Sequence, residues 1–260
     1  MWNVIRSQLY QLKRDMIAWG VLFVAFVVTF LINIESFEAG STGSEATALM
    51  GEAMSPMASF LIIMTMVANI MGKDFLDKTL NYEVLSGHTR KDVFFGRLIV
   101  AILVGVLCTF LVIISVPVTA TILNGWGNTM EWKGVLIRCG LVMITLFRIA
   151  CEVAFLTILT KNPYVTYLVS VVFGELQLFL SMAQVEFTDF EIPPLLPVAN
   201  CINLLTFQDW STFYIDETDQ IIYNSAVPLE TALWTLIPSI VIGAVMILLS
   251  YVFFKHDDLN

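Results

Sequence analysis

Charge is what this 260-residue sequence has least of. Asp, Glu, Lys and Arg together make up 13% of it, about half the share found in soluble domains. Basic residues are the scarcer kind, 13 against 22 acidic, and the net charge of −9 removes the electrostatic footprint on which nucleic-acid binding rests. Nucleic acid is therefore not an expected partner. Histidine is reduced to His88 and His256, far apart, and the four cysteines show neither a C-x-x-C nor a Cys/His spacing, so no metal centre is expected. Cys108, Cys139 and Cys151 fall in apolar stretches, which leaves Cys201 without a disulfide partner on its own side. A phosphate-cradling Walker A loop is missing too. The only Gly-Lys pair, Gly72-Lys73, has Val67 where the first glycine belongs and Asp74 where Ser or Thr should follow. No catalytic residue is assigned, and no cluster of acid, base and nucleophile points to an enzyme.

What is abundant is apolar surface. Hydrophobic residues form 58% of the chain and the mean hydropathy is +0.82. They fall in runs long enough to cross a bilayer as helices. Six spans are expected, Met16–Ile34, Ala53–Gly72, Leu98–Leu123, Val135–Leu159, Tyr164–Ala183 and Ala232–Phe254, within a single transmembrane domain over 1–260. Six helices apolar on all sides leave a chain of this length too few polar residues to cover them in water. The expected class is an all-α polytopic membrane protein. The first span, preceded by Arg6, Lys13 and Arg14, resembles a signal peptide only superficially. It is too long, and its exit, Glu35-Ser36-Phe37-Glu38, offers no small-residue cleavage site.

Short-loop Lys and Arg set orientation. Arg6, Lys13, Arg14, Lys73, Lys78, Arg90, Lys91, Arg97, Lys161 and Lys255 all fall on one side of the six spans, with Lys133 opposite, where most of the acidic residues gather. Both termini are expected in the cytoplasm of a multi-pass cell-membrane protein.

The inner segment Lys73–Arg97 exceeds the 2–8 residues of a simple helix connection. Within it Phe75, Leu76, Leu80, Val84 and Leu85 recur at helical spacing, with Asp77, Lys78 and Asn81 on the other face. Such a helix either lies against lipid headgroups or docks into another protein. Ser86-Gly87 reads as its stop, and Thr89-Arg90-Lys91-Asp92 as a capping box that starts the helix leading into the third span.

The run Gly72-Lys73-Asp74-Phe75…Lys78-Thr79-Leu80…Val84-Leu85-Ser86-Gly87-His88-Thr89-Arg90…Gly96-Arg97-Leu98 resembles the corresponding segment of type-2 ABC transporter membrane subunits, with Lys78, Gly87-His88-Thr89 and Arg97 departing from the usual residues. The resemblance implies a permease that pairs with a second permease, identical or paralogous, and with two cytoplasmic ATPases that bind ATP and Mg. No cofactor is implied for this chain itself. The inner helix would be the coupling helix, with Asp74, Phe75, Leu76, Asp77, Lys78, Leu80, Glu83 and Leu85 seated on an ATPase, and Lys161-Asn162 giving a smaller second contact. The implied activity is export of a hydrophobic or amphiphilic substrate such as a peptide, lipid or drug, as in bacterial resistance to antimicrobial peptides. A secondary, ion-coupled transporter or a scaffold without an ATPase is the alternative.

Charges inside the spans are few. Arg148 and Glu152 stand one turn apart, and Glu175 lies at the same depth as Arg148 if the fourth and fifth spans form a hairpin about Thr160–Pro163. Arg148 and Glu152 can meet, and Arg148 and Glu175 could pair across the hairpin, the cluster serving as a clamp between spans, as part of a translocation path, or as a proton relay. The stretch 198–207 is too short to cross and too apolar for solvent, so it is expected to re-enter the outer leaflet. Trp210, Phe213, Tyr214 and Tyr223 read as interfacial anchors or substrate contacts, and 40–51 as a mobile loop.

Overall fold

A computed structural model of the chain describes residues 1–48, 56–76, 87–187, 195–206, 213–215, 221–223 and 226–256. In chain order the helices are α1 (Trp2–Lys13), α2 (Met16–Ile32), α3 (Ile34–Glu38), α4 (Gly43–Ala48), α5 (Pro56–Leu76), α6 (Arg90–Asn124), α7 (Trp132–Thr160), α8 (Pro163–Phe187), α9 (Pro197–Thr206) and α10 (Leu229–His256). Strands β1 (Phe213–Ile215) and β2 (Ile221–Tyr223) form a small antiparallel hairpin before α10, with Phe213 opposite Tyr223. The fold is thus helical apart from this pair. The exception follows local chemistry, since Phe-Tyr-Ile and Ile-Ile-Tyr are β-favouring triplets.

Among the described residues four helices, α6, α7, α8 and α10, are long and apolar enough to cross a membrane, or five if the bent pair α1–α2 is one span. This is the signature of a multi-pass membrane protein. The pair bends by 61° at Arg14-Asp15, where the amphipathic α1 ends and Asp15 caps α2 by accepting from the Ile17 and Ala18 amides. The second expected span corresponds to α5, which lies in the middle of the bundle rather than at its surface. Ile62, Ile63, Met64, Met66, Val67, Ala68 and Met71 are all buried, against α6, α7 and α8. Met64, Met66 and Met71 fill core space.

Close helix approach depends on small residues, because lipid gives apolar side chains no incentive to leave it for one another. At Gly174 of α8 a Cβ would stand 2.7 Å from the Phe60 ring of α5, so these helices meet at a distance only glycine permits. The inward stripe of α8 continues through Thr166, Ser170 and Gln177, all buried.

Thr89 caps α6 by accepting from the Asp92 amide at 3.1 Å, so the expected helix start is found there. The 40–51 segment differs from expectation in its described part. Residues 43–48 form α4, which packs against the end of α6, with the Gly43 amide donating to Gly125 O and Ser44 to Trp126 O. The reason is a reciprocal cap: the Thr42 amide donates to Glu45 Oε2 at 2.8 Å and the Glu45 amide to Thr42 Oγ1.

The start of α1 and the end of α10 lie at one end of the bundle. The amino group of Met1 is 3.3 Å from Asp92 Oδ1, and Arg90 Nη1 donates to the Lys255 carbonyl.

Candidate functional site

The residues singled out by the sequence gather at two places, one inside the bundle and one at the end carrying the termini. Inside, α7 presents Arg148 and Glu152 on one face, a turn apart, and Arg148 Nε donates to Glu152 Oε1 at 3.0 Å. Both are buried, at 5% and 7% exposure. Arg148 Nη2 reaches across to the Leu195 carbonyl at 2.7 Å, just before α9. Glu152 is also hydrogen-bonded by the Gln177 side chain of α8, whose Oε1 accepts from the Val198 amide in the first turn of α9 at 3.2 Å. One charged pair and one amide thereby tie α7, α8 and the entry to α9 together.

Glu175 does not join them. It is exposed on the outward face of α8, while Gln177 occupies the place expected of it. Equal depth in a hairpin fixes height but not azimuth. The face of α8 marked by Thr166, Ser170, Gly174 and Gln177 turns inward, which turns position 175 away. That small and polar stripe is the signal by which Gln177 was legible.

Helix α9 is ten residues long, roughly 15 Å at the α-helical rise, and cannot cross a bilayer. Val198, Ala199, Cys201, Leu204 and Leu205 are buried, and Asn200 Nδ2 donates to Thr235 Oγ1 of α10 at 3.2 Å. Burial pushes the Cys201 thiol up to about 12. A short apolar helix is therefore packed against α7, α8 and α5, with one hydrogen bond to α10.

At the end with the termini, Asp74 belongs to the last turn of α5 and forms a 2.6 Å ion pair with Arg97 of α6, joined by Gln8 Nε2 of α1 at 3.5 Å. Helix α5 thus runs on past Gly72 instead of stopping there for a separate helix to begin. Phe75 stacks edge-on with Phe254 of α10, ring centres 6.0 Å apart, while Leu76 is 45% exposed. Asp74 and Phe75 are committed to the bundle, and Leu76 faces out. Asp77, Lys78, Leu80, Glu83 and Leu85 lie outside the described residues.

The second inner connection is short and rigidly built. Lys161 adopts a left-handed φ of 53° as the cap of α7, and Asn162 caps α8 by accepting from the Tyr164 amide at 2.9 Å, with Pro163 at the first helical position. This turn touches α5. A Cβ on Gly72 would stand 3.0 Å from Thr157 Cγ2 and 3.3 Å from the Pro163 nitrogen. The end of α5, from which residues 77–86 follow in sequence, therefore stands beside this turn.

Among the described residues no group of His, Cys, Asp and Glu is placed to hold a metal ion. Comparison with family models and with curated proteins gave no match.

Proposed function

We propose that this chain is the six-span membrane subunit of an ATP-driven exporter of the type-2 ABC kind, placed in the cell membrane with both termini in the cytoplasm. It would pair with a second permease and with two ATPases, which bind ATP and Mg, and export a hydrophobic or amphiphilic substrate such as a peptide, lipid or drug. The observation that carries this reading is the meeting of the end of α5 with the α7–α8 turn at Gly72. Residues 77–86 follow directly from α5, so a partner gripping them would also stand beside Lys161-Asn162.

Displacement of that segment has two routes into the bundle. One runs through Asp74 to Arg97 and so to α6. The other runs through Gly72 to α7 and α8, whose Arg148, Glu152 and Gln177 hold the entry to α9. In this reading the buried cluster is a clamp that carries motion to the opposite end, where α9 closes the outer mouth. The chain's own part is mechanical, and phosphate chemistry belongs to the ATPases.

Leu76→Asp combined with Leu80→Asp tests this in the assembled complex. The variant should insert normally and leave ATP hydrolysis running while export of a hydrophobic peptide is lost. Unchanged export by that variant would refute the coupling assignment.

A further inference from the structure

Glu175 is the thirteenth of the 25 residues in α8, about 18 Å from either end at 1.5 Å per residue. Its side chain is exposed, on a stripe with Leu168, Val172 and Phe179, which are 68%, 61% and 67% exposed. An ionised carboxylate at mid-span facing hydrocarbon is strongly unfavourable, and such groups pair with one another or face a cavity. Nothing on the same helix supplies a partner: Lys161 lies beyond the helix end, about 21 Å along the axis.

A second copy of the chain cannot supply one either. The cations set well within the long helices are Arg97, Arg138 and Arg148, and all three are buried in the chain's own interior. Arg97 is held by Asp74, Arg148 by Glu152 and Leu195 O, and Arg138 donates to the Ala226 carbonyl. The remaining Lys and Arg among the described residues belong to α1 or lie near helix ends or in connections. A symmetric pairing along α8 would oppose carboxylate to carboxylate.

We propose that the Leu168–Val172–Glu175–Phe179 face of α8 is the intramembrane contact with a different membrane-spanning chain, one that carries a Lys or Arg at mid-depth of the facing helix. This specifies the second permease of the proposed complex as non-identical, and it rests on that reading only for the partner's role.

A photo-cross-linking residue at Val172 of the full chain, activated in native membranes, provides the test. The expected adduct joins this chain to a different membrane protein with a cation in its span. Glu175→Leu lowers its yield about tenfold, as losing an intramembrane polar contact should, and Glu175→Lys restores it when the partner's cation is exchanged for Glu. The exchange decides the matter even if Glu175→Leu accumulates poorly. Adducts only to lipid or to a second copy, or a yield indifferent to the charge at 175, overturn the proposal. Cross-linking needs no nucleotide, so an intact adduct with no ATP-driven transport would count against the proposed function alone.

Discussion

The two ends of the bundle are held by different chemistry. At the end carrying the termini, ion pairs do the joining: Asp74 with Arg97, Lys73 with Asp15 at 3.7 Å, and the Met1 amine with Asp92. At the opposite end no ion pair joins helices among the described residues, and hydrogen bonds do the joining. Gly43 and Ser44 amides donate to Gly125 and Trp126 carbonyls, Asn124 Nδ2 donates to Ser41 O, and Trp126 Nε1 to Met130 O. Ion pairs concentrate at the end that is expected to face the cytoplasm, and there one pair, Asp74–Arg97, is buried as well. A buried pair loses far more when broken than a rim pair does, so the comparison predicts a ranked set of losses.

The largest effect should come from Asp74→Leu, which removes the carboxylate paired with the buried Arg97 guanidinium. A loss of roughly 3–5 kcal/mol is expected, read as a lowered thermal midpoint of the detergent-purified protein, with Arg97→Leu in the same chain restoring much of it. Next is Glu152→Leu in the central cluster. Arg148 keeps the Leu195 carbonyl, and the cost should approach the roughly 2.5–3.5 kcal/mol of an unpaired cation at mid-span, with proteolysis around α9 accelerated as its anchor loosens. Thr42→Ala at the opposite end removes one cap and should cost about 1 kcal/mol, seen as faster amide exchange in 43–48 with the terminal end unchanged. An equal response at both ends would erase the distinction.

The mildest test is pH. The Thr89 hydroxyl, then the amino terminus, hold the Asp92 carboxyl below its usual value of 3.8. Its contribution is therefore fully present above pH 3.8 and fades only as pH falls through the lower folded-state value. Amide exchange at the start of α6 should stay slow down to about that pH and quicken beneath it, whereas Thr89→Ala should shift the onset upward. Early fraying in the unaltered protein would contradict this.

How much was legible follows from the range of the interactions. The start of α6, the Asn162-Pro163 turn and the Arg148–Glu152 pair are local, within four residues, and the sequence states them openly. The inward position of Gln177 and the outward one of Glu175 depend on how α8 rotates against α5, which Gly174 and Phe60 decide together. Asp74 read as a surface residue because its partner Arg97 comes 23 positions later, across the inner connection. The Thr42–Glu45 box was as local as any, but a run of Gly, Ser and Thr masked it as loop. The β1–β2 hairpin lay hidden in a long acidic connection with only two apolar triplets to mark it.

The central claim, that work enters at the terminal end from a separate ATPase, is tested most directly by reconstituting the affinity-purified complex in proteoliposomes and measuring nucleotide-dependent movement of a hydrophobic peptide. The account predicts transport that requires ATP, with hydrolysing subunits present in the preparation, and that disappears in the Leu76→Asp/Leu80→Asp variant. Transport by this chain by itself, driven by an ion gradient and indifferent to nucleotide, would contradict it.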